Sequence, residues 1–424
     1  MPKKISLLFI VVSFIHTSLF AQASVDTLHL KLQDAEKMFL DSNLLLLAQK
    51  YNIDASKALI IQAKLIPNPN FSIAHGLYSG QLNQFFPTGN NDETSAQLSQ
   101  LIMLAGKRNK QIRLAQANEK LSEYQFYDLI RTLKYTLRTD FFNIYYLEQS
   151  EKVYDKEISS LQQVVNAFEQ QEGKGYIAEK EVVRVKAQLY SLQSEYNDLQ
   201  NQVNDVESEF KIVLQAKPSS YVEPEPDSIS VDNLNPAKYP YNTLLDSAYK
   251  NRTDLLMAEA NNDINKFNYD YQKALATPDL TLSLGYDEQG SFLTNFYSIG
   301  ASIDLPFFNR NQGNIKSAKA MIDYSTATQK STQATVDENI SRSLQKAYAQ
   351  DKLLKNIDPK FAGDFDRLAS EVLINYEKRN IGLLDFIDFY DSYKENILQI
   401  NSIKYNRVQA FEDINFYTGT NFFN

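Results

Sequence analysis

Asp385 and Asp388 stand three residues apart in "YEKRNIGLLDFID". Positions i and i+3 share one face of a helix, so the two carboxylates would present a doubled negative charge, suited to acid-base work or to attracting a cation. Asp287 and Glu288 form a second acidic pair. Acid-base catalysis needs two pKa values set apart by unlike environments, and an exposed helix or loop supplies no such difference. The chain contains no G-x-S-x-G, no G-x-x-x-x-G-K-[ST] and no H-E-x-x-H, and no nucleophile stands near a plausible His base. Of the 3 His, His16 sits in an apolar leader, while His29 and His75 are solitary in sequence, and Cys is absent. Neither a metal site nor a cofactor is expected from that inventory, and an enzyme is not expected.

The elements that carry these residues begin with an export signal. Lys3 and Lys4 precede an apolar run from Ile5 to about Phe20, and Ala21-Gln22-Ala23 suits a signal peptidase, so residues 1–23 read as a signal peptide and the mature chain as beginning near Ser24. Without Cys there is no lipid-modified N-terminus, so membrane attachment must come from the fold. No later segment is apolar for the eighteen or so residues of a spanning helix, and the mean hydropathy is −0.40. A formal charge of −9 without clustered Lys and Arg excludes a nucleic-acid partner.

The 13 Gly and 12 Pro fall at a few breaks, which leaves long uninterrupted elements between them. Lys107 to Glu172 contains neither residue type, and its apolar positions Ile130, Leu133, Leu137, Phe141, Ile144, Leu147, Leu161, Val165 and Phe168 recur at helical spacing. At ~1.5 Å per residue it predicts a rod of roughly 100 Å, with no core of its own. After Gly173-Lys174-Gly175 a second helix, from about Ala178 to Gln215, would fold back along it. Lys217 to Pro240 is Pro-rich, acidic and without periodicity, and reads as a linker.

The plan then repeats. "PNPNFSIAHGL" is answered by "TPDLTLSLGY", Leu98–Ala117 by Ala301–Ala320, and "GKGYIAEKEV" by "EKRNIGLLDF". Residues 24–216 form a first repeat, 217–240 a connector and 241–424 a second repeat, each ordered helix, strand, strand, long helix, turn, helix. Pro359 and Gly363 predict a bend in the second long helix.

Each repeat holds one amphipathic hairpin. In Thr277–Gly313 apolar residues alternate through Leu280, Leu282, Leu284 and Tyr286, break at Asp287 to Gly290, and alternate again through Tyr297, Ile299, Ala301, Ile303 and Leu305. Four strands of about ten residues match a bilayer's thickness but cannot close a barrel, and an open edge in hydrocarbon costs several kcal/mol per unpaired group. Other chains must complete the sheet. Phe71, Tyr78, Phe85, Phe86, Tyr286, Phe292, Phe296 and Tyr297 are candidates for aromatic girdles, and Thr281, Ser283, Ser298, Ser302 and Asp304 for a polar lumen.

The export signal, the duplicated layout and "IDLPFFNRNQGNIKSAKA" resemble the TolC-type outer-membrane efflux channels, and that last stretch is most similar to their cobalt-zinc-cadmium branch. The resemblance implies a mainly α fold with a small β part: a homotrimer with a transmembrane β-barrel of four strands per chain in outer-membrane lipid and a long-helix α-barrel in the periplasm. It implies partners too, a periplasmic adaptor (membrane fusion protein) and an inner-membrane RND-type pump that supplies the energy. Function would be that of a passive exit duct for heavy-metal cations or drugs. By the family's spacing, Asp385, Asp388 and the matching Glu181 would form acidic rings at the periplasmic constriction, which favour cations. Gly175, Ile177, Ala178, Tyr376, Arg379, Ile381, Gly382 and Arg184 would form the tip turns, the gate and the adaptor contact. Where the family can place an Arg that ties the tip shut, this chain has Ile381, and Arg379 or Arg184 would have to pair with a tip acid instead. The competing expectation is a periplasmic adaptor or a structural coiled-coil protein, although adaptors surround one helical hairpin with Gly- and Val-dense β modules and this chain has two hairpins.

Overall fold

The computed structural model describes residues 27–80, 82–87, 93–227, 231–290, 293–378 and 380–423, so the signal peptide and Phe292 lie outside the described residues. The first half comprises β1 (Thr27–Leu30), α1 (Leu32–Ser42), α2 (Leu44–Lys64), β2 (Asn70–His75), β3 (Tyr78–Ser79), β4 (Gln84–Phe85), β5 (Thr94–Ile102), α3 (Lys107–Glu172) and α4 (Glu179–Leu214). β6 (Tyr221–Pro224) follows. Then come α5 (Tyr241–Asn251), α6 (Thr253–Leu275), β7 (Leu280–Gly290), β8 (Leu293–Ile303), α7 (Gln312–Lys355), α8 (Phe361–Glu377) and α9 (Leu383–Thr418).

Helix boundaries follow local chemistry. α3 runs 66 residues because nothing in it breaks a helix, and it starts after Gly106, which adopts a left-handed φ of 66°. α2 is capped by Asn43, whose side chain accepts from the N–H groups of Leu45 and Leu46 at 3.0 and 3.1 Å while donating to Val213 O at 2.8 Å. In the second half the rod divides into α7 and α8, with the break just before and at Pro359, since proline has no N–H to donate. Gly363, by contrast, lies within α8 and interrupts nothing.

The hairpins join into one antiparallel sheet of order β2-β5-β7-β8. Its register sorts the side chains cleanly, because directly paired residues share a face. Phe71–Leu98, Leu98–Leu284, Leu284–Ile299 and Leu282–Ala301 fall on one face, Ser72–Gln97, Ser99–Ser283 and Thr281–Ser302 on the other. The polar face is the crowded one: a Cβ on Gly285 would sit 2.6 Å from Ser298 Oγ, and one on Gly300 2.7 Å from Ser283 Oγ. Apolar Ile73, Leu284 and Ile299 are exposed at 66%, 58% and 82%.

Several expectations change here. β7 continues through Asp287–Gly290 rather than breaking there. The first hairpin is unequal, with a six-residue β2 and the small β3–β4 hairpin between β2 and β5. Phe296 pairs with Asp287 on the serine face, opposite to Tyr286 and Tyr297, and so cannot share their girdle. Asp304 lies just past the end of β8. The connector is also more ordered than its composition suggests, because β6 pairs in parallel with β1 and buries Val222.

Aromatic and aliphatic clusters hold the helices. Phe39, Leu137, Phe141, Phe210 and Val408 form one core, and Leu244, Leu255, Ile340, Phe411 and Ile414 form its counterpart in the second half. Arg138 crosses between halves: it binds Glu412 through two hydrogen bonds of 2.7 and 2.6 Å and Glu36 through a third of 2.7 Å. Lys134 adds a 3.0 Å contact to Glu36. Arg138→Ala strands the buried Glu412 carboxylate and leaves Glu36 to Lys134 alone, and is expected to cost about 3–5 kcal/mol, while Arg138→Met with Glu412→Met regains most of that. Thermal or denaturant midpoints of the detergent-solubilised protein measure both.

Candidate functional site

The two helical turns farthest from the sheet are built alike. α3 ends at Glu172, and the chain reverses at Gly175, whose φ of 74° suits a residue without Cβ. Gly175 and Tyr176 donate their N–H groups back to Glu172 O and Gln171 O at 2.8 and 2.9 Å. Ala178 is extended, α4 begins at Glu179, and Glu181 donates its backbone N–H to Ala178 O at 2.9 Å. The second turn carries an extended Gly382 before α9, and the Asp385 carboxylate accepts from the Gly382 N–H at 3.4 Å. Ile177 thus corresponds to Ile381, Ala178 to Gly382, Glu181 to Asp385 and Val182 to Phe386.

An aromatic stack joins the turns. Tyr376 lies 4.5 Å from Phe386 with rings nearly parallel and 5.9 Å from Phe168, and Phe386 lies 4.6 Å from Tyr390. Tyr390 donates to Ala369 O at 3.0 Å. Beside the stack is a groove of about 540 Å³ lined by Val164, Phe168, Ile177, Glu181, Tyr376 and Ile381. The Tyr376 hydroxyl is buried and makes no hydrogen bond among the described residues; burial and the nearby Glu181 carboxylate both raise its pKa.

So the structure gathers Ile177, Glu181, Tyr376 and Ile381 around one groove, whereas Asp385 and Asp388 lie exposed on α9. Arg184 is exposed and forms no ion pair among the described residues; Arg379 lies outside them. His29 is not solitary: the parallel pairing of β1 with β6 sets it 3.2 Å from Glu223 and 3.5 Å from Glu225. Among the described residues no group of three or more His, Cys, Asp and Glu has the arrangement of a metal site, and no helix is long and apolar enough to cross a membrane.

Sequence reasoning missed an ionic cluster above the turns. Lys394 of α9 contacts Glu195 of α4 at 2.8 Å and Asp391 at 3.7 Å, and Gln188 donates to Asp391 at 2.9 Å. Glu157 of α3 is buried beside them, and desolvation pushes its carboxyl up to about 8, against the pull of Lys394. Burial likewise lifts Asp140 and Glu148 to about 7. The available signal was an acid inside an apolar stripe, with Glu157 between Tyr154 and Leu161. Nearby, Asp366 of α8 receives Lys156 of α3 and the Tyr393 hydroxyl of α9, the latter at 2.8 Å.

Comparison with known proteins gives this geometry a context. The model of the family "Outer membrane efflux protein" matches residues 37–209 and 244–357. The chain is 24% identical to the cobalt-zinc-cadmium resistance protein CzcC of Cupriavidus metallidurans over 309 residues, 69% of this chain and 67% of that protein. Its fold is similar to that of the Campylobacter jejuni outer membrane channel CmeC, with a TM-score of 0.76 at 17% identity over 92% of this chain and 86% of that one. The Vibrio cholerae outer membrane protein VceC gives 0.72 at 16% identity over 92% and 96%.

Two expectations follow from the tip. Because the Tyr376 hydroxyl is buried without a partner, Tyr376→Phe should leave stability unchanged or raise it by up to about 1 kcal/mol, whereas Tyr376→Ala should cost about 3–5 kcal/mol; unfolding midpoints distinguish them. The Glu157 carboxyl is raised in the folded chain, so its burial penalty is absent while it is protonated and grows as pH rises from the ordinary glutamate value of 4.5 to about 8. The melting temperature should therefore fall across that window, and Glu157→Gln should flatten the fall.

Proposed function

We infer the function from one premise: the chain belongs to the outer membrane efflux protein family. It is an exit channel of an efflux system in the outer membrane. The observation that carries the reading is the four-stranded sheet, apolar on one exposed face, polar on the other and unpaired at both β2 and β8. Such a sheet suits lipid on one side and water on the other, and it needs further chains to remove its edges. A homotrimer would give a twelve-stranded barrel, an even number that closes.

The long helices of three copies would form the periplasmic duct, with Ser72, Ser99, Thr281, Ser283 and Ser302 wetting the passage through the lipid. In this reading the channel performs no chemistry and holds no cofactor. An adaptor and an inner-membrane RND-type pump would engage the tip turns from Gly175 to Ala178 and around Ile381 and Gly382, and would supply the energy. CzcC is named for cobalt, zinc and cadmium resistance, which supports metal cations as cargo here. Acidic residues at the tip agree with that cargo, since rings of carboxylates favour cations over anions. The adaptor alternative has no use for a membrane-suited sheet or for two equivalent helical hairpins.

Planar-bilayer recording tests both the channel and its constriction. The purified protein should give discrete conductance steps, and their absence would refute the channel. Asp385→Asn with Asp388→Asn keeps an oxygen for the α9 cap but removes the charge. It should change the conductance and weaken block by multivalent cations; block identical to that of the wild type would remove these residues from the pore.

A further inference from the structure

Lys and Arg are absent from the whole sheet and return abruptly where it meets the helices. Neither occurs from Leu65 to Gly106 or from Ala274 to Asn309, and the end of the sheet away from the helices carries Glu93, Asp287 and Glu288. The four crossings between sheet and helices, residues 64–69, 103–113, 273–279 and 304–319, hold nine Lys and Arg against two Asp. In a chain of formal charge −9, that is a positive band in a negative molecule.

Local structure accounts for only some of these cations. Lys64 and Lys273 stand in the last turns of α2 and α6, where a helix favours positive charge. Lys107 pairs with Asp279 at 2.6 Å, and Lys110 donates to Ala105 O at 2.8 Å. Arg108, Arg113, Arg310, Lys316 and Lys319 are exposed and form no ion pair among the described residues. Helix stability explains none of the five: Arg108 opposes the dipole in the first turn of α3, Arg310 lies outside a helix, and the others lie beyond the first turn. Apolar surface reaches the same level, for Phe307 and Phe308 are 68% and 96% exposed. Their loop is fixed, since Asn311 donates to Gln272 O and Oε1 at 2.8 and 2.9 Å and the Arg310 N–H donates to Gln312 Oε1 at 2.8 Å. Rings held outward in this way are unfavourable in water and suited to the edge of a lipid layer.

Resting on the channel reading above, we propose that these five cations form a collar that binds the phosphate groups of anionic phospholipids in the periplasmic leaflet of the outer membrane. Phe307 and Phe308 sit among the acyl chains beside it. Reach agrees with this placement. α3 and α7 lead away from the sheet, and helical side chains lean toward the helix N-terminus, so Arg113, Lys316 and Lys319 point back toward the sheet. At ~1.5 Å per residue Lys319 stands roughly 10 Å along α7, and its long side chain spans the remaining distance to a headgroup layer about 5–8 Å deep. Each cation near an anionic surface favours binding roughly fivefold. The acidic far end repels the same lipids, so the charge pattern also selects one orientation of the sheet across the bilayer.

Lipid retention by the detergent-solubilised protein tests the collar. Short-chain phosphatidylglycerol and phosphatidylcholine are added in equal amounts and counted on the protein by native mass spectrometry. The wild type should retain the anionic lipid about tenfold over the zwitterionic one, and raised ionic strength should erase the preference. Arg310→Gln with Lys316→Gln and Lys319→Gln should bring it to about twofold or less. Lys217→Gln with Lys330→Gln and Lys352→Gln, which removes three exposed cations elsewhere, should leave it intact. Equal retention of the two lipids by the wild type, or a preference that survives in a collar variant of wild-type mass and melting temperature, overturns the proposal. Displacement of the anionic lipid by inorganic phosphate at equal concentration overturns the lipid assignment. A wild type that conducts in phosphatidylcholine bilayers yet shows no lipid preference refutes the collar alone, whereas one that conducts in no bilayer refutes the channel reading.

Discussion

An unpaired strand edge in hydrocarbon leaves each free N–H and C=O without a partner, at several kcal/mol per group, and this constraint governs everything else in the molecule. β2 and β8 end a sheet that is apolar on one face from Phe71 to Ile303, and in the proposed channel their edges would meet that cost. Neither the sheet's length nor its sidedness makes sense in water, where Ile299 and Ile73 would stay exposed at no gain. Crowding of Gly285 against Ser298 and of Gly300 against Ser283 shows why small residues occupy the serine face.

Below the sheet the problem is reversed, because long helices have ample backbone bonding but little core each. α3 and α4 share a cluster that includes Leu161, Val165, Val185, Leu189 and Leu192, which makes their hairpin stiff. α8 packs through buried Ala369 against Val153 and Tyr393 and through half-buried Val372, Leu373 and Tyr376 against that same cluster, supported by Asp366 receiving Lys156 and Tyr393. The break between α7 and α8 removes the continuity that α3 keeps.

Where the sequence was legible, a strong periodic pattern met clear punctuation. The ends of α3 fall where glycines stand, and the alternation in β7 and β8 marks the right hairpin. β6 escaped because its side chains alternate over only four residues in a Pro-rich stretch, and its partner β1 lies far away in sequence. The neighbours of His29 are hidden from the sequence for the same reason, since Glu223 reaches it only through that parallel pairing. Glu157, Glu195, Asp391 and Lys394 come from three helices, and no linear spacing marks their convergence. Phe296 shows the limit of composition: an aromatic near a strand end suggests a girdle, but its register parity places it on the serine face.

The tip shows how a structural and a functional account can apply to one residue and separate at the next. Glu181 and Asp385 both sit in the first turn of a helix, where backbone N–H groups and the helix dipole favour a carboxylate by about 0.3–1 kcal/mol. Asp385 also accepts the Gly382 N–H. An acid at these two positions is therefore explained by α4 and α9 alone. Asp388 stands one turn further on, beyond the unpaired N–H groups, is exposed, and has no capping role. Helix stability gives no reason for a charge there, and the proposed acidic constriction would supply one. In the proposed constriction the dipoles of α4 and α9 would offset part of the repulsion among carboxylates at their own ends, so a ring at Asp388 would add to one whose cost the helices already reduce.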